Sequence, residues 1–247
     1  MEYKVCYSYG SDKGLKRSIN QDNLIADCKY LNKGTERVLS GRVERIIRRP
    51  LLLGVFDGMG GEQNGEDASF IAAKSASRWN RVAYPDDKLE KLILAANKEI
   101  CRFADEQGLQ SVGTTAAMLI FTQEDIIVSN IGDSKIFYMD GDRLCQVSED
   151  DVFPPRKGFG KPPLMQCLGI PPEEMIIEPH ISHRPYVNGQ RYLICSDGLT
   201  DMVRETEICE VLKSFPVEYA VKEMINRALE HGGNDNVTVI VCEVCLK

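Results

Sequence analysis

Two apolar runs in this chain each end in an Asp-Gly pair, and this feature constrains the fold more than any other. The run at 51–56 is followed directly by Asp57, and the run at 192–196 by Asp197. A third acidic residue, Asp235, stands at the start of the last apolar run. A carboxylate at the mouth of a buried strand is costly to remove from water unless a cation or a donor compensates it. The three residues therefore predict strands that deliver carboxylate oxygens to one shared divalent metal site.

The size and charge of the chain limit the kinds of protein that it can be. Its 247 residues are enough for a full core, in one large domain or two small ones. The net charge of -7 argues against a nucleic acid or an anionic membrane as a partner. The sequence has no apolar run of about 18 residues, and its N-terminus has no secretory pattern. We therefore expect a soluble cytoplasmic protein.

The nine cysteines are scattered, which in a reducing cytosol predicts small buried side chains. The one Cys-x-x-Cys pair, Cys242 and Cys245, lies in a predicted strand. Its odd separation puts the two thiols on opposite faces, so we expect no zinc or redox site there.

Apolar periodicity predicts an α+β domain spanning residues 1–247. Alternation predicts strands at 3–9, 24–26, 51–56, 114–122, 125–131, 135–139, 144–147, 191–196 and 237–244. Helical spacing predicts helices at 68–79, 89–103, 205–213 and 217–229. The short turns between strands imply antiparallel pairing.

Three segments are predicted to lie outside this regular pattern. Residues 10–14 form a predicted loop. The basic residues 33–49 form a predicted hairpin excursion, which is either a solvated edge or a docking site for an acidic partner. Residues 150–172 contain six of the eleven prolines and form a predicted loop or small flap.

The residue types favour metal-dependent phosphoryl chemistry. Magnesium and manganese prefer carboxylate, carbonyl and water oxygens. Asp57, Asp197 and Asp235 supply carboxylates, and the tight turn at Gly58 lets its carbonyl face the metal. Two such ions about 3.5–4 Å apart yield hydroxide at neutral pH and polarise a phosphoryl oxygen. The guanidinium of Arg17, five residues before Asp22, matches two phosphate oxygens, although a surface ion pair is the alternative.

Seven short motifs occur in an order that carries a resemblance. They are Arg17-x-x-Asn20-Gln21-Asp22, Asp57-Gly58-Met59-Gly60-Gly61, Gly65-Glu66-x-Ala68-Ser69, Gly113-Thr114-Thr115, Asn130-Ile131-Gly132-Asp133-Ser134, Ser196-Asp197-Gly198-Leu199-x-Asp201 and Asp235-Asn236-x-Thr238. Over about residues 3–245, the chain resembles the metal-dependent protein phosphatase family, the type 2C serine/threonine phosphatases, in its short bacterial form.

The resemblance implies a fold and a site. The fold would be a central β-sandwich of two mostly antiparallel sheets with helices on both outer faces. Asp57, Asp197, Asp235 and the Gly58 carbonyl would hold two Mn²⁺ or Mg²⁺ ions. A hydroxide bridging those ions would attack a phosphoryl group held by Arg17.

Three further residues complete the implied site. Asp22 would bind metal directly or through water. Asp133 and Asp201 would hold a weaker third ion, although Asp133 also suits a turn and Asp201 a helix cap. The implied substrates are phosphoserine and phosphothreonine proteins, with a serine/threonine kinase as the associated partner, and the chain would act as a monomer.

The sequence departs from the family pattern in four places. Met59 replaces the histidine of animal members, which leaves protonation of the leaving alkoxide to a metal-bound water. Gln21 stands where some members have glutamate, and Lys135 replaces an arginine. Residues 148–151 replace a common Thr-x-Asp-His, and the flap after them is short. Two other hypotheses stay open: a non-catalytic binding module and a hydrolase of small phosphoesters.

Overall fold

The computed structural model describes residues 2–60, 64–79, 86–155 and 161–247. In this part of the chain the strands are β1 (Tyr3–Asp12), β2 (Asn23–Ala26), β3 (Lys29–Tyr30), β4 (Arg37–Leu39), β5 (Val43–Ile46), β6 (Leu51–Phe56), β7 (Gly58–Met59), β8 (Gly113–Thr114), β9 (Ala116–Phe121), β10 (Ile126–Ile131), β11 (Lys135–Asp140), β12 (Arg143–Gln146), β13 (His180–Arg184), β14 (Arg191–Cys195) and β15 (Val237–Leu246). The helices are α1 (Gly65–Ala76), α2 (Asp86–Gln107), α3 (Asp197–Thr200), α4 (Glu205–Ser214) and α5 (Val217–Glu230).

Two antiparallel sheets form the centre of the molecule. The first has the strand order β12-β11-β14-β15-β1-β4, with β5 also paired to β1. The second has the order β13-β10-β9-β6-β2-β3. A small ladder of β7 and β8 follows the second sheet directly, since β7 continues from β6 and β8 leads into β9.

Three apolar clusters hold four layers together. One lies between the two sheets and includes Leu53 and Ile240. A second packs α1 and α2 on the outer face of the second sheet, and a third packs α4 and α5 on the outer face of the first. Burial of apolar surface on both faces of each sheet is the main stabilising contribution. The predicted α+β class and the implied helix–sheet–sheet–helix layering are confirmed.

Two predictions about the first sheet are wrong. Strand β1 continues through residues 10–12, where a loop was predicted, because Gly10 to Asp12 pair with β15. The basic segment is not a hairpin: β4 and β5 both pair with β1 rather than with each other. The alternation of side chains cannot show which neighbour a strand will have, so these pairings were outside the reach of sequence reasoning.

Several short elements were not predicted at all. Strand β13 carries two histidines and an arginine at the edge of the second sheet, and it has no apolar alternation. Helix α3 has four residues, and β3 has two. The predicted flap at 150–172 contains an isolated bridge between Val152 and Leu164 in its described part, while residues 156–160 lie outside the described residues.

No helix in the described ranges combines the length and the apolar character needed to cross a bilayer.

His183 joins β13 to two neighbouring elements. Its Nδ1 lies 2.5 Å from Asp125 Oδ2 beside β10, and its Nε2 lies 2.8 Å from Asp86 Oδ1 at the start of α2. The hydrogen bond to Asp125, followed by that to Asp86, raises the pKa of His183. Both nitrogens donate only when the ring is charged, so the bridge is complete in the protonated form.

This bridge predicts a pH-dependent contribution to stability. The pKa of His183 is higher in the folded chain, so its contribution is fully present below the unfolded value of about 6.5 and is lost as the pH rises through the raised pKa. We expect His183→Gln to lower the melting temperature by about 2–3 °C near pH 5.5, because a partly exposed pair contributes about 1 kcal/mol or less. Scanning calorimetry at that pH and at about pH 9 checks this; an equal loss at both values would contradict it.

Candidate active site

The predicted site residues meet around one cavity of about 390 Å³. Six of them line it: Arg17, Asp57, Gly58, Asp133, Asp197 and Asp235. The other two lie beside the lining, since Asp22 accepts a hydrogen bond from Ser196 and Asp201 faces Lys161. The structure thus brings all eight residues to one place, from five separate segments of the chain.

Asp57 is fixed where β6 gives way to β7. Its N–H donates to Thr115 Oγ1 at 3.0 Å, and its carbonyl accepts from the Thr115 N–H at 2.9 Å. The next residue must be glycine, because a Cβ on Gly58 would lie 2.2 Å from the Gly65 carbonyl oxygen. This close approach packs the start of α1 against the Asp57 turn.

Asp197 and Asp235 are brought together because the turn after β14 packs against the turn before β15. Asp197 begins α3 directly after β14, and Asp235 precedes β15, the neighbour of β14 in the sheet. A Cβ on Gly198 would lie 1.9 Å from the Asn236 carbonyl oxygen, so only glycine permits this packing. The Asn236 side chain also accepts from the Gln21 N–H at 2.8 Å, which ties the Asp22 segment to the same place.

Asp22 is buried in a polar pocket between the first sheet and the cavity. Its Oδ2 accepts hydrogen bonds from Ser196 Oγ at 2.8 Å and Thr238 Oγ1 at 2.7 Å. Its Oδ1 is buried and has no hydrogen-bond partner within the described residues. Burial raises the pKa of Asp22 to about 7, against the two hydroxyl hydrogen bonds, and the charges of Asp197 and Asp235 add to the rise.

The cavity carboxylates repel one another. Burial, and then the charge of Asp197, raise the pKa of Asp57 well above its usual value. Burial also raises the pKa of Asp133 and of Asp201, although the Lys161 ammonium counteracts both shifts. The site therefore favours any bound cation that can offset this charge.

The turn that carries Asp133 is held by the segment before the flap. Gly132 donates its N–H to Asp151 Oδ2 at 2.8 Å, and the Asp151 N–H donates to the Gly132 carbonyl at 3.1 Å. His180 Nε2 lies 2.8 Å from Asp151 Oδ1. Asp151 thus supports the site although it stands where the family commonly has histidine.

Two basic side chains contact the carboxylates. Arg17 Nη2 donates to Asp235 Oδ2 at 2.6 Å, and this hydrogen bond raises the pKa of the guanidinium. The Lys161 ammonium contacts Asp133, Asp197 and Asp201. Sequence reasoning missed Lys161, because it lies in the proline-rich flap and has no partner nearby in sequence.

Other missed residues act through Asp22. Ser196 and Thr238 supply its two hydroxyl donors, and Asn20 Oδ1 accepts from its N–H at 3.2 Å. All three stand in the motifs that carried the resemblance, which was the available signal. Met59 lines the cavity, Gln21 donates to Glu66 at 3.4 Å, and Lys135 contacts Asp150.

The donor set fits a divalent metal, although it is not closed around one. Within the described residues, no three acidic, histidine or cysteine side chains already surround a common point. The carboxylates turn to each other and to the two basic side chains instead. Nevertheless they are hard oxygen donors of the kind Mg²⁺ and Mn²⁺ prefer, and the orphaned Asp22 Oδ1 needs a partner.

Comparison with known proteins gives consistent matches. A family model described as protein phosphatase 2C matches residues 47–238. The chain is 30% identical to the serine/threonine phosphatase stp of Listeria innocua, over 95% of this chain and 94% of that protein. It is also 30% identical to the serine/threonine protein phosphatase PstP of Mycobacterium tuberculosis, over 96% of this chain but 45% of that protein. The structure of the PstP catalytic domain in complex with two manganese ions matches with a TM-score of 0.80 and 28% identity, over 99% of this chain and 100% of that one.

Because the carboxylates around Asp57 repel one another, we predict that removing the charge of Asp57 stabilises the metal-free chain and weakens metal binding. We expect Asp57→Asn to raise the melting temperature in EDTA by about 2–4 °C, since neutralising a crowded site carboxylate commonly adds about 1 kcal/mol. The asparagine amide can also donate to Asp197. The same variant should gain less stability from Mn²⁺ than the unaltered chain, because binding stabilises only through the sites that remain.

Thermal unfolding with EDTA and with millimolar Mn²⁺ measures both effects. Asp87→Asn is the matched control, because Asp87 is an exposed carboxylate that pairs with Lys91 on α2. An Asp57→Asn chain that is less stable than the unaltered one in EDTA would contradict the repulsion argument.

Proposed function

Because the chain belongs to the protein phosphatase 2C family, we propose that it is a metal-dependent phosphatase of phosphoserine and phosphothreonine in proteins. The observation that carries the proposal is the charge of the cavity region. Among the described residues, four aspartates line the cavity with two basic side chains, and Asp22 and Asp201 lie beside it. This surplus of negative charge suits divalent cations. A guanidinium that can bind a phosphate lies in the same lining.

The proposed division of roles follows from where each side chain lies. Asp57, Asp197 and Asp235, with the Gly58 carbonyl, hold a pair of Mn²⁺ or Mg²⁺ ions. Ions bound there would supply an ionised water as nucleophile and would polarise the phosphoryl oxygens. Asp22 offers its free Oδ1 to an ion or to a water molecule.

Arg17 binds the substrate phosphate. In this structure Arg17 pairs with Asp235. A bound pair of metal ions would engage Asp235 instead. Release from Asp235 leaves the two forked N–H groups free for two phosphate oxygens. About half of the Arg17 side chain is exposed, so it can reach a phosphorylated side chain of a protein substrate.

The relatives support a biological setting for this activity. We propose a cytoplasmic signalling enzyme in which residues 1–247 form one catalytic domain that acts as a monomer. Its substrates would be proteins phosphorylated by a serine/threonine kinase. The support is that the similar proteins stp and PstP are serine/threonine phosphatases and that the PstP catalytic domain binds two manganese ions.

Hydrolysis of a phosphothreonine peptide by the full chain tests the activity. We expect turnover that requires Mn²⁺ and falls by at least about 100-fold in Asp197→Ala, since this change removes an ion ligand. Asp87→Asn should keep full turnover. An unaltered chain that stays inert in millimolar Mn²⁺ overturns the proposal and favours a non-catalytic binding module. Turnover of an aryl phosphate with none of the peptide favours a hydrolase of small phosphoesters.

The role of Arg17 gives a separate prediction. Arg17→Ala should lower kcat/KM for the peptide by about 100-fold, the usual effect of removing one donor to a developing phosphoryl or oxyanion charge. Mn²⁺ binding, followed by calorimetry, should persist, because Arg17 is not an ion ligand. Arg143→Ala is the control, since Arg143 also pairs with a single carboxylate, Asp140. If Arg17→Ala keeps normal kcat/KM, the arginine is only a surface ion pair.

A further inference from the structure

The ammonium of Lys161 lies among three carboxylates. Its Nζ is 2.8 Å from Asp133 Oδ2 and 3.6 Å from Asp201 Oδ2, and it contacts Asp197 Oδ2. Asp133 and Asp201 are the two residues at which the family resemblance implies a weaker third ion. The lysine therefore brings a positive charge of this chain's own to that position.

The flap holds Lys161 there through its backbone. Two prolines follow the lysine, and a residue before proline is restricted to extended conformations. The Phe153 N–H donates to the Pro163 carbonyl at 3.0 Å, and the Met165 N–H donates to the Asp151 carbonyl at 2.7 Å. Asp151 in turn binds the Gly132 turn that carries Asp133. The lysine and its carboxylate partner are thus held by one connected set of hydrogen bonds.

We propose that the Lys161 ammonium takes the place of the third metal ion in this chain, so that the enzyme binds two divalent ions rather than three. This proposal rests on the proposed function, because it presumes that two metal ions bind at Asp57, Asp197 and Asp235. With that pair bound, Asp197 would serve as an ion ligand, and Lys161 would keep its contacts with Asp133 and Asp201.

Two physical arguments favour the Lys161 ammonium over a third metal ion at this position. A tethered group has an effective concentration in the millimolar range or above when the tether fits the span. A weakly bound third ion must instead come from solution, where water competes with the carboxylates for Mn²⁺ and Mg²⁺. The ammonium also offers three donors to the carboxylates around it.

Counting bound ions tests the proposal without relying on turnover. Titration of the full chain with Mn²⁺ by calorimetry, after removal of metal, should give about two ions per chain. Lys161→Met keeps the length of the side chain and removes its charge, and should give about three. Lys213→Met is the matched control, because Lys213 has similar exposure and pairs with one remote carboxylate, Asp142. It should stay at about two.

A double variant locates the extra ion. Lys161→Met combined with Asp201→Asn should return the count to about two, because the third position then lacks a carboxylate. Circular dichroism of each variant verifies that it is folded.

The outcomes separate this proposal from the proposed function. About three ions in the unaltered chain overturn the proposal and leave the phosphatase assignment standing. About two ions in Lys161→Met overturn it in the same way, as does an extra ion that survives in the double variant. An unaltered chain that binds no ion overturns the proposed function itself.

Discussion

The mutual repulsion of carboxylates in one cavity is the constraint on which the rest of this structure depends. Two unit charges about 4 Å apart repel by roughly 4 kcal/mol at the effective dielectric of a protein surface. In the described part of the chain, four aspartates line one cavity of about 390 Å³, and the charge of Asp197 helps to raise the pKa of Asp57. The chain can hold them together only because stable elements position each one and because cations reduce the charge.

The β-sandwich supplies that positioning. Asp57, Asp197 and Asp235 lie within two residues of the ends of largely buried strands, so the backbone has little freedom to separate the charges. The glycines at 58 and 198 allow approaches that no side chain would permit. The hydroxyls of Ser196 and Thr238 satisfy one oxygen of Asp22. The free energy of the apolar layers thus sustains an arrangement that is unfavourable in itself, as is common at functional sites.

The sequence was sufficient to predict the parts of the fold that have their own periodicity. The buried runs at 51–56 and 191–196 and the helix at 217–229 carry strong local patterns, and all three correspond to elements of the structure. Strand β13 was missed, and the segment of β4 and β5, which both pair with β1, was assigned wrongly as a hairpin. The structure of these strands depends on partners far away in the chain.

The same division holds for the candidate site. Its aspartates could be predicted because each one ends an apolar run or stands in a recognisable motif. Lys161 could not be, since its importance comes from a flap that folds back over 28 residues of sequence to reach Asp133. The supporting role of Asp151 was hidden for a similar reason, as its bond to Gly132 joins segments from either side of a hairpin.

The position of β15 has a consequence for how the molecule assembles. Among the described strands β15 comes last in sequence, yet it lies between β14 and β1, and it begins two residues after Asp235. During synthesis, β1 therefore emerges long before β15, and the long ladder between them cannot form until β15 has been made. Until then β1 and β14 expose unpaired edges, the kind of surface that promotes aggregation. The negative cluster is also incomplete during that interval, so its repulsion reaches full strength only when the closing strand is there to contain it.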